Sequence, residues 1–519
     1  MKRHTIFSYC LLFAMLTVFN LQTLAQPSAE KAADPEELNT LRKEIEKNPA
    51  DLDLHEKYLK ASGFTKWGVA EDPEFIKLYE DWIVKYPTTA AIPYALGHAF
   101  AGKESPKAKP FLLKAVAIDP KFHKAYFDLW IDGERWGDFK TSLAYLVKAK
   151  EAAPDNPEYA FYYANGFSDT DFEKYRKLSL QVAKDFPETE RGSQALYWLA
   201  SRTQDVATKI IYYEQQKKDF PTDKFNWTSS GMSSYFDVLL QKSAEEAAKL
   251  ATYMSSLPLQ ERSLKTWQGN IQLANNIIEA QAQLNKGKAS EAVDALNKVT
   301  VPRWGARKEF IILLKSTAHD AAGNTKMAYE NLLKVFAKEP TKEVNKQLLA
   351  YGNKLGKEPK AVEKDVWFIR DTTSRQAPVF NLETYFTKGK SSLDDYKGKV
   401  VLLTYWFPGC GPCRGEFPHF ENIVKNFKEK DFVYIGINIV EEQDDYVMPF
   451  MKSSGYSFIP LKDNKDWQKG PLDNREAAPF NFLIDQDGKI IFFDFRIDGN
   501  NEATLDMMIL SMLERKIKN

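Results

Sequence analysis

Between about residues 30 and 365, apolar positions recur three and four apart, the spacing that lines one face of an α-helix. Prolines punctuate this pattern: Pro87, Pro120, Pro154, Pro187 and Pro221 stand 33, 34, 33 and 34 residues apart. Each closes a helical stretch, predicted over 78–86, 111–119, 143–153, 175–186 and 210–220. Proline suits a position just past a helix end because it lacks the amide proton and clashes with a continuing turn. Apolar residues then resume at helical spacing, as at Tyr94, Ala95 and Leu96, or Ala195, Leu196 and Leu199, so each period holds two helices. Flanking prolines at Pro49, Pro258, Pro302 and Pro340 lie 37 to 44 residues apart, which predicts longer loops in the outer units. The pattern breaks around 355–376, where Gly356, Pro359, mixed charges and Thr372-Thr373-Ser374 predict a linker or an extended lead-in. Downstream, a β-rich run at 400–406 precedes a helix to about Lys430. A buried strand at 432–440 and a helix at 444–454 follow. Strands at 480–484 and 490–495 flank the turn signal Asp485-Gln486-Asp487-Gly488, and an amphipathic helix closes the chain at 502–515.

Two helices per roughly 34 residues is the period of tetratricopeptide repeats. Leu96-Gly97-His98-Ala99-Phe100 resembles the core of that motif and the segment from Ala115 to Pro120 its close, while other units keep the period and lose the letters. Strand, helix, strand, helix, hairpin, helix is the order of a thioredoxin fold. The expected architecture is therefore multidomain: a targeting segment at 1–25, an all-α, TPR-like repeat array at 26–365, a linker at 366–375 and an α/β thioredoxin-like fold at 376–519. Such arrays bury a core by stacking neighbours and leave an extended concave surface. Dense aromatics such as Tyr159, Phe161, Tyr162, Tyr163, Tyr212 and Tyr213 fit packing between helices, with a peptide-binding groove as the sharper alternative. His55, His98, His123 and His319 are scattered without metal-ligand spacing.

The 519 residues are 44% hydrophobic and 27% charged, and Lys plus Arg balances Asp plus Glu at 71 each. That balance lacks the basic footprint of a nucleic-acid-binding protein. At the N-terminus, Lys2 and Arg3 precede a mostly apolar run at 6–21 and the small-residue site Thr23-Leu24-Ala25. This is the anatomy of a cleaved secretory signal, with an uncleaved membrane anchor as the alternative. Cleavage would remove Cys10 and leave Cys410 and Cys413 as the only thiols. A two-residue gap closes too small a loop to staple a fold, so the pair is expected to react.

Cys410-Gly411-Pro412-Cys413 excludes several chemistries. Structural zinc needs four ligands, and no second Cys or His pair exists. Covalent haem attachment needs His directly after the second Cys, where Arg414 stands. The spacing expected before a peroxidatic cysteine is absent. What remains is a redox dithiol between a strand and a helix. There Cys410 meets the unpaired amides and positive dipole end of the helix, which lower a thiol pKa from roughly 8.5 towards 7. Cys410 is the attacking thiolate and Cys413 the resolving one.

Several motifs in order resemble the TlpA/ResA-like family of thiol–disulfide oxidoreductases. They are Ala377-Pro378-Val379-Phe380-Asn381-Leu382, Leu393-Asp394-Asp395-Tyr396-Lys397-Gly398-Lys399-Val400-Val401-Leu402, and Cys410-Gly411-Pro412-Cys413-Arg414-Gly415-Glu416-Phe417-Pro418. The resemblance begins at about Gln376 and covers about 145 residues. It implies protein disulfides as substrates, a membrane-embedded thiol donor and no cofactor beyond the dithiol. Ala478-Pro479 sits where the family has a cis-proline, so Pro479 is expected to pair with an extended substrate; an ordinary trans turn is the alternative. The aspartate of thioredoxin is replaced by Thr404. Glu441, or the adjacent Glu442, matches the place of an alternative acid that accepts the proton of Cys413, provided that it is buried; otherwise it is a surface acid. Gly409 departs from the family, which commonly has Trp there. Together these features predict an exported, periplasmic protein that reduces disulfides while its repeats dock a protein partner. The alternative is a binding scaffold whose contact is switched by the redox pair. Peroxide reduction is a weaker third reading.

Overall fold

The computed structural model describes residues 34–65, 72–168, 170–303, 305, 307–427, 430–464 and 467–515. The expected signal at 1–25, with Cys10, lies outside the described residues.

Nineteen described helices run from Pro35 to Thr373. Those that precede the five spaced prolines end at Lys85, Ile118, Ala152, Asp185 and Asp219, steps of 33, 34, 33 and 34 residues, with each proline two residues further on. Side-chain caps start several of them: Asp72, Asn156, Thr189 and Asp205 each accept a first-turn amide. Such a cap contributes about 1 kcal/mol. The core is a succession of local clusters, one from Ile45 to Ala195, one from Tyr175 to Ala318 and one from Ala328 to Val366. Tyr159, Phe161, Tyr162, Tyr212 and Tyr213 are buried in the first two.

The expected linker at 366–375 is not one. The helix Pro359–Thr373 runs through it and leads directly into the first strand. Its Val362 and Val366 complete the last helical cluster, while Trp367 belongs to the core of the α/β region. The Arg370 guanidinium donates to Ser511 Oγ at 3.1 Å, and Arg515 pairs with Asp371 at 2.8 Å. One helix thus serves two cores, so the Gly-free stretch that looked like a spacer by its charges is a packed joint.

Among the described residues the α/β region contains eight strands: β1 (Arg375–Gln376), β2 (Asn381–Glu383), β3 (Lys390–Ser392), β4 (Val400–Trp406), β5 (Phe432–Asn438), β6 (Ile459–Lys462), β7 (Phe480–Ile484) and β8 (Lys489–Phe493). Six form one sheet in the order β1-β8-β7-β4-β5-β6, and β2 pairs with β3. The central β4 runs parallel to β5 and antiparallel to β7. All seven β4 residues are buried, and their alternation divides two cores. Val400, Leu402 and Trp406 pack with residues of the helices Gly411–Val424 and Glu502–Leu513. Val401, Leu403 and Tyr405 pack with Phe380, Leu382 and Leu393 on the other face.

Trp406 meets the rings of Phe417, Phe450 and Phe458 at 5.5, 5.3 and 4.8 Å. Gly436 on the neighbouring strand makes room for it: a Cβ there would lie 2.8 Å from Trp406 Nε1 and 2.6 Å from Phe458. Trp406→Ala is therefore expected to destabilise the α/β region by about 3–5 kcal/mol through a cavity that β4 cannot close. Loss of near-ultraviolet ellipticity at lower urea than in the wild type would register it, and an unchanged transition would refute it.

Candidate redox site

Cys410 is the N-cap of the helix Gly411–Val424, immediately beyond the end of β4. Its Sγ accepts the Cys413 amide at 3.2 Å, and its own amide donates to Phe407 O at 2.9 Å. Pro412 occupies the first turn, where a missing amide proton costs nothing. Cys410 and Cys413 are joined as a disulfide with Cα atoms 5.3 Å apart. Both lie in the cluster of Trp406, Phe417 and Phe420, and Ala478 packs on that cluster. The Ala478–Pro479 peptide is cis.

The acid named from sequence is not where its role requires. Glu441 opens a short 3₁₀ turn, its side chain is 69% exposed, and it faces Lys462 at 3.8 Å. Glu442 is exposed as well. Burial, the condition that would raise a carboxyl towards neutrality, is met by Glu416 instead. Glu416 lies three residues beyond Cys413 on the same helix, a spacing that puts both on one face. Asn481 Nδ2 donates to its Oε2 at 3.0 Å and the Ile497 amide to its Oε1 at 3.1 Å. Burial pushes this carboxyl up to about 7, against the opposing pull of Asn481, Arg496 and the Ile497 amide. Thr404, in place of the thioredoxin aspartate, is fully buried and its hydroxyl has no hydrogen-bond partner. Glu416 stood in the sequence inside the Cys410–Pro418 run; its i+3 spacing from Cys413 was the signal for it.

The helical array also reaches this site. Cys410 is 2% exposed and Cys413 0%. Gln443, on the turn after β5, accepts the Gly409 amide at 2.7 Å and donates to Glu104 of the array at 3.1 Å. Glu104 lies in the connection between the helices Ala91–Gly102 and Ala108–Ile118. Its other oxygen stands 3.9 Å from the buried Arg135. Trp136, in the connection between the helices His123–Arg135 and Phe139–Ala152, meets Tyr446 with ring centroids 4.2 Å apart, and Glu134, in the last turn of the first of these helices, lies within 3.8 Å of Arg414. Burial pushes the Glu134 carboxyl up, while Arg414 and Ser142 hold it down. Apart from Gly409, singled out as a departure from the family, the contact across this seam is not written in the sequence, because its two sides are some 300 positions apart and carry no shared motif. No group of three or more potential metal ligands occurs among the described residues.

Comparison with known proteins bears on the same region. Residues 372–506 match the Redoxin family model. The chain is 38% identical over 118 residues to the thiol-disulfide oxidoreductase ResA of Bacillus subtilis (strain 168), covering 22% of this chain and 63% of that protein. It is 34% identical over 117 residues to the thioredoxin-like protein YneN of the same organism, covering 22% of this chain and 67% of that one. Among solved structures, the thioredoxin domain of a thiol-disulfide oxidoreductase from Bacteroides vulgatus is 27% identical and is covered to 96%, over 26% of this chain, with a TM-score of 0.23. The chain thus spans somewhat less than two thirds of the first of these relatives, and the family model falls within its C-terminal third. On the order of its strands, its Cys410–Cys413 pair at a helix start and its sequence likeness to ResA and YneN, the C-terminal region of this chain belongs to the TlpA/ResA-like thiol–disulfide oxidoreductases of the thioredoxin fold.

Proposed function

We propose that this protein is an exported thiol–disulfide oxidoreductase that reduces disulfides of periplasmic proteins. The observation that carries the reading is Cys410 at a helix N-terminus, with Cys413 and then Glu416 following along one buried helix face. In the reduced form, the Cys410 thiolate attacks one sulfur of a substrate disulfide. That bond breaks, a Cys410–substrate disulfide forms, and the other substrate sulfur leaves and takes a proton. Glu416 accepts the proton of Cys413, whose thiolate attacks Cys410 Sγ. The mixed disulfide breaks, the Cys410–Cys413 bond forms, and the second substrate sulfur departs. Two electrons reach the substrate, and a membrane-held dithiol returns them.

The backbone at Pro479, beside the cluster that holds both cysteines, is the candidate surface for an extended substrate segment. Glu416 takes the part first given to Glu441, because Glu416 is buried on the face of the helix that carries the cysteines whereas Glu441 is exposed beside Lys462. The helical region, read as tetratricopeptide-like, docks a protein partner. Nucleic acid is not part of this reading.

Cys413→Ala tests it. Without the resolving thiol, Cys410–substrate disulfides are expected to persist, and several distinct exported thiol proteins should be released from the purified variant by reductant. An empty trap, together with no dithiol-dependent insulin reduction by the wild type, would rule out turnover. A second reading, a scaffold whose contact is switched by the redox pair, is favoured by one observation: Glu104 of the array meets Gln443, which holds the amide next to Cys410.

A further inference from the structure

We infer that the helical array is the gate of the dithiol: the Glu104 and Trp136 connections close over Cys410, and a substrate disulfide reaches its sulfur only after they withdraw. This rests on the redox reading above and adds what controls access to the site.

Three observations on different elements converge on it. First, Cys410, the residue that must meet a bulky disulfide, is as inaccessible as a core residue. Attack needs the incoming sulfur in line with Cys410 Sγ, which a closed seam prevents. Second, Gly409 is shaped for closure. A Cβ there would overlap the Glu104 carboxylate and come within 2.9 Å of Gln443 Nε2, so a larger residue would displace these two side-chain ends from one another and from the Gly409 amide. Third, Glu104 has φ 54°, a left-handed backbone that a glutamate adopts at a cost. The chain accepts that cost where the carboxylate reaches Gln443 and, through it, the amide next to Cys410.

The seam is also built to part. It joins the ring contact of Trp136 on Tyr446 and Arg414 over the Phe139 ring at 5.8 Å to polar contacts, Gln443–Glu104 at 3.1 Å and Arg414–Glu134 at 3.8 Å. Gly137, with φ 75°, turns the connection so that it lies against Phe450. By contrast, the joint at the far end of the array is anchored by Trp367 in the α/β core and by Arg370 and Asp371 on the last helix. The array is therefore fixed at one end and held lightly at the other, an arrangement in which the Glu104 and Trp136 connections can lift while the joint stays packed.

Three full-length variants test the gate. Glu104→Gly removes the carboxylate and relieves the left-handed backbone, so the array fold is not weakened. Trp136→Ala removes the ring from the array side, and Tyr446→Ala removes its partner from the α/β side. The readout is the rate at which dithiothreitol reduces the Cys410–Cys413 disulfide, followed by quenched alkylation and mass measurement of the peptide that carries both. Each variant is expected to react faster than wild type by at least about threefold, as local opening becomes more frequent. Thermal melting of the helical signal accompanies each measurement, and because the variants lie on opposite sides of the seam, a fold defect in one does not explain a gain in all. Acceleration below about threefold in Glu104→Gly and Tyr446→Ala, with melting unchanged, overturns the gate. Rapid reduction of the disulfide in every variant without any insulin reduction would instead sink the oxidoreductase reading and leave the gate standing.

Discussion

Replacing Cys410 by serine is expected to lower disulfide exchange by at least ~10³-fold, to the background of the reductant alone. The reason is twofold. A serine hydroxyl at a helix N-terminus stays protonated near neutral pH, whereas a thiol there is largely ionised. An alkoxide would also have to form an S–O bond that cannot be exchanged reversibly. The substitution should leave the fold intact, since a serine at the N-cap accepts the Cys413 amide as Cys410 Sγ does. Steady-state reduction of insulin or of a disulfide-bonded peptide is the measurement. Residual turnover above a few per cent would mean that Cys413 attacks substrate directly, which its full burial opposes.

The second large effect is on Glu416. Glu416→Gln is expected to slow resolution of the mixed disulfide by about 10²-fold at pH 7, the usual share of a positioned base. It should also remove the inflection near pH 7 that the raised carboxyl produces in the wild type. The stability consequence has the opposite sense. A carboxyl whose folded pKa lies above its unfolded value supports the fold fully at low pH. It loses that support as pH rises from the ordinary carboxylate range through about 7. Above pH 7 the wild type therefore carries a buried charge that Gln does not, and the variant should be the more stable of the two by ~1–3 kcal/mol. Urea transitions at pH 5 and pH 8 decide this: a difference that shrinks with rising pH would contradict the assignment. The same substitution at the exposed Glu441 should change neither the pH profile nor the transition.

The elements that could be read in the chain share one property: their pattern repeats within a short window. β4, β7 and the helix Asp444–Ser454 were read to the residue, because apolar runs and helical spacing are local signals. The five helix ends before prolines were read for the same reason. The strands β1, β2, β3 and β6 were not legible. Each has two to four residues, and only pairing makes it a strand: β1 with β8, β2 with β3, β6 with β5. The boundary at 366–375 was misread because a mixed charged stretch looks solvated until Trp367 joins the α/β core and Arg370 meets Ser511, 141 residues away.

The site divides along the same line. Cys410 and Cys413 lie in one contiguous motif, and their chemistry follows from residue type and spacing, while the part given to Pro479 is what the family resemblance implies. A proton acceptor has to be chosen by burial, which no window of sequence measures. That choice passed from Glu441 to Glu416 once Asn481 and Ile497 closed around the latter.

By itself, then, the chain determined a long helical array, a thioredoxin-like region and a reactive Cys410–Cys413 pair at a helix start, since each is written in local periodicity or in adjacent residues. Only the tertiary structure decided which carboxylate is buried beside the pair, that the supposed linker is a packed joint, and that Glu104 and Trp136 meet Gln443 and Tyr446 near the dithiol. Those three depend on contacts between residues far apart in the chain, where desolvation and close packing act on whatever the fold brings together.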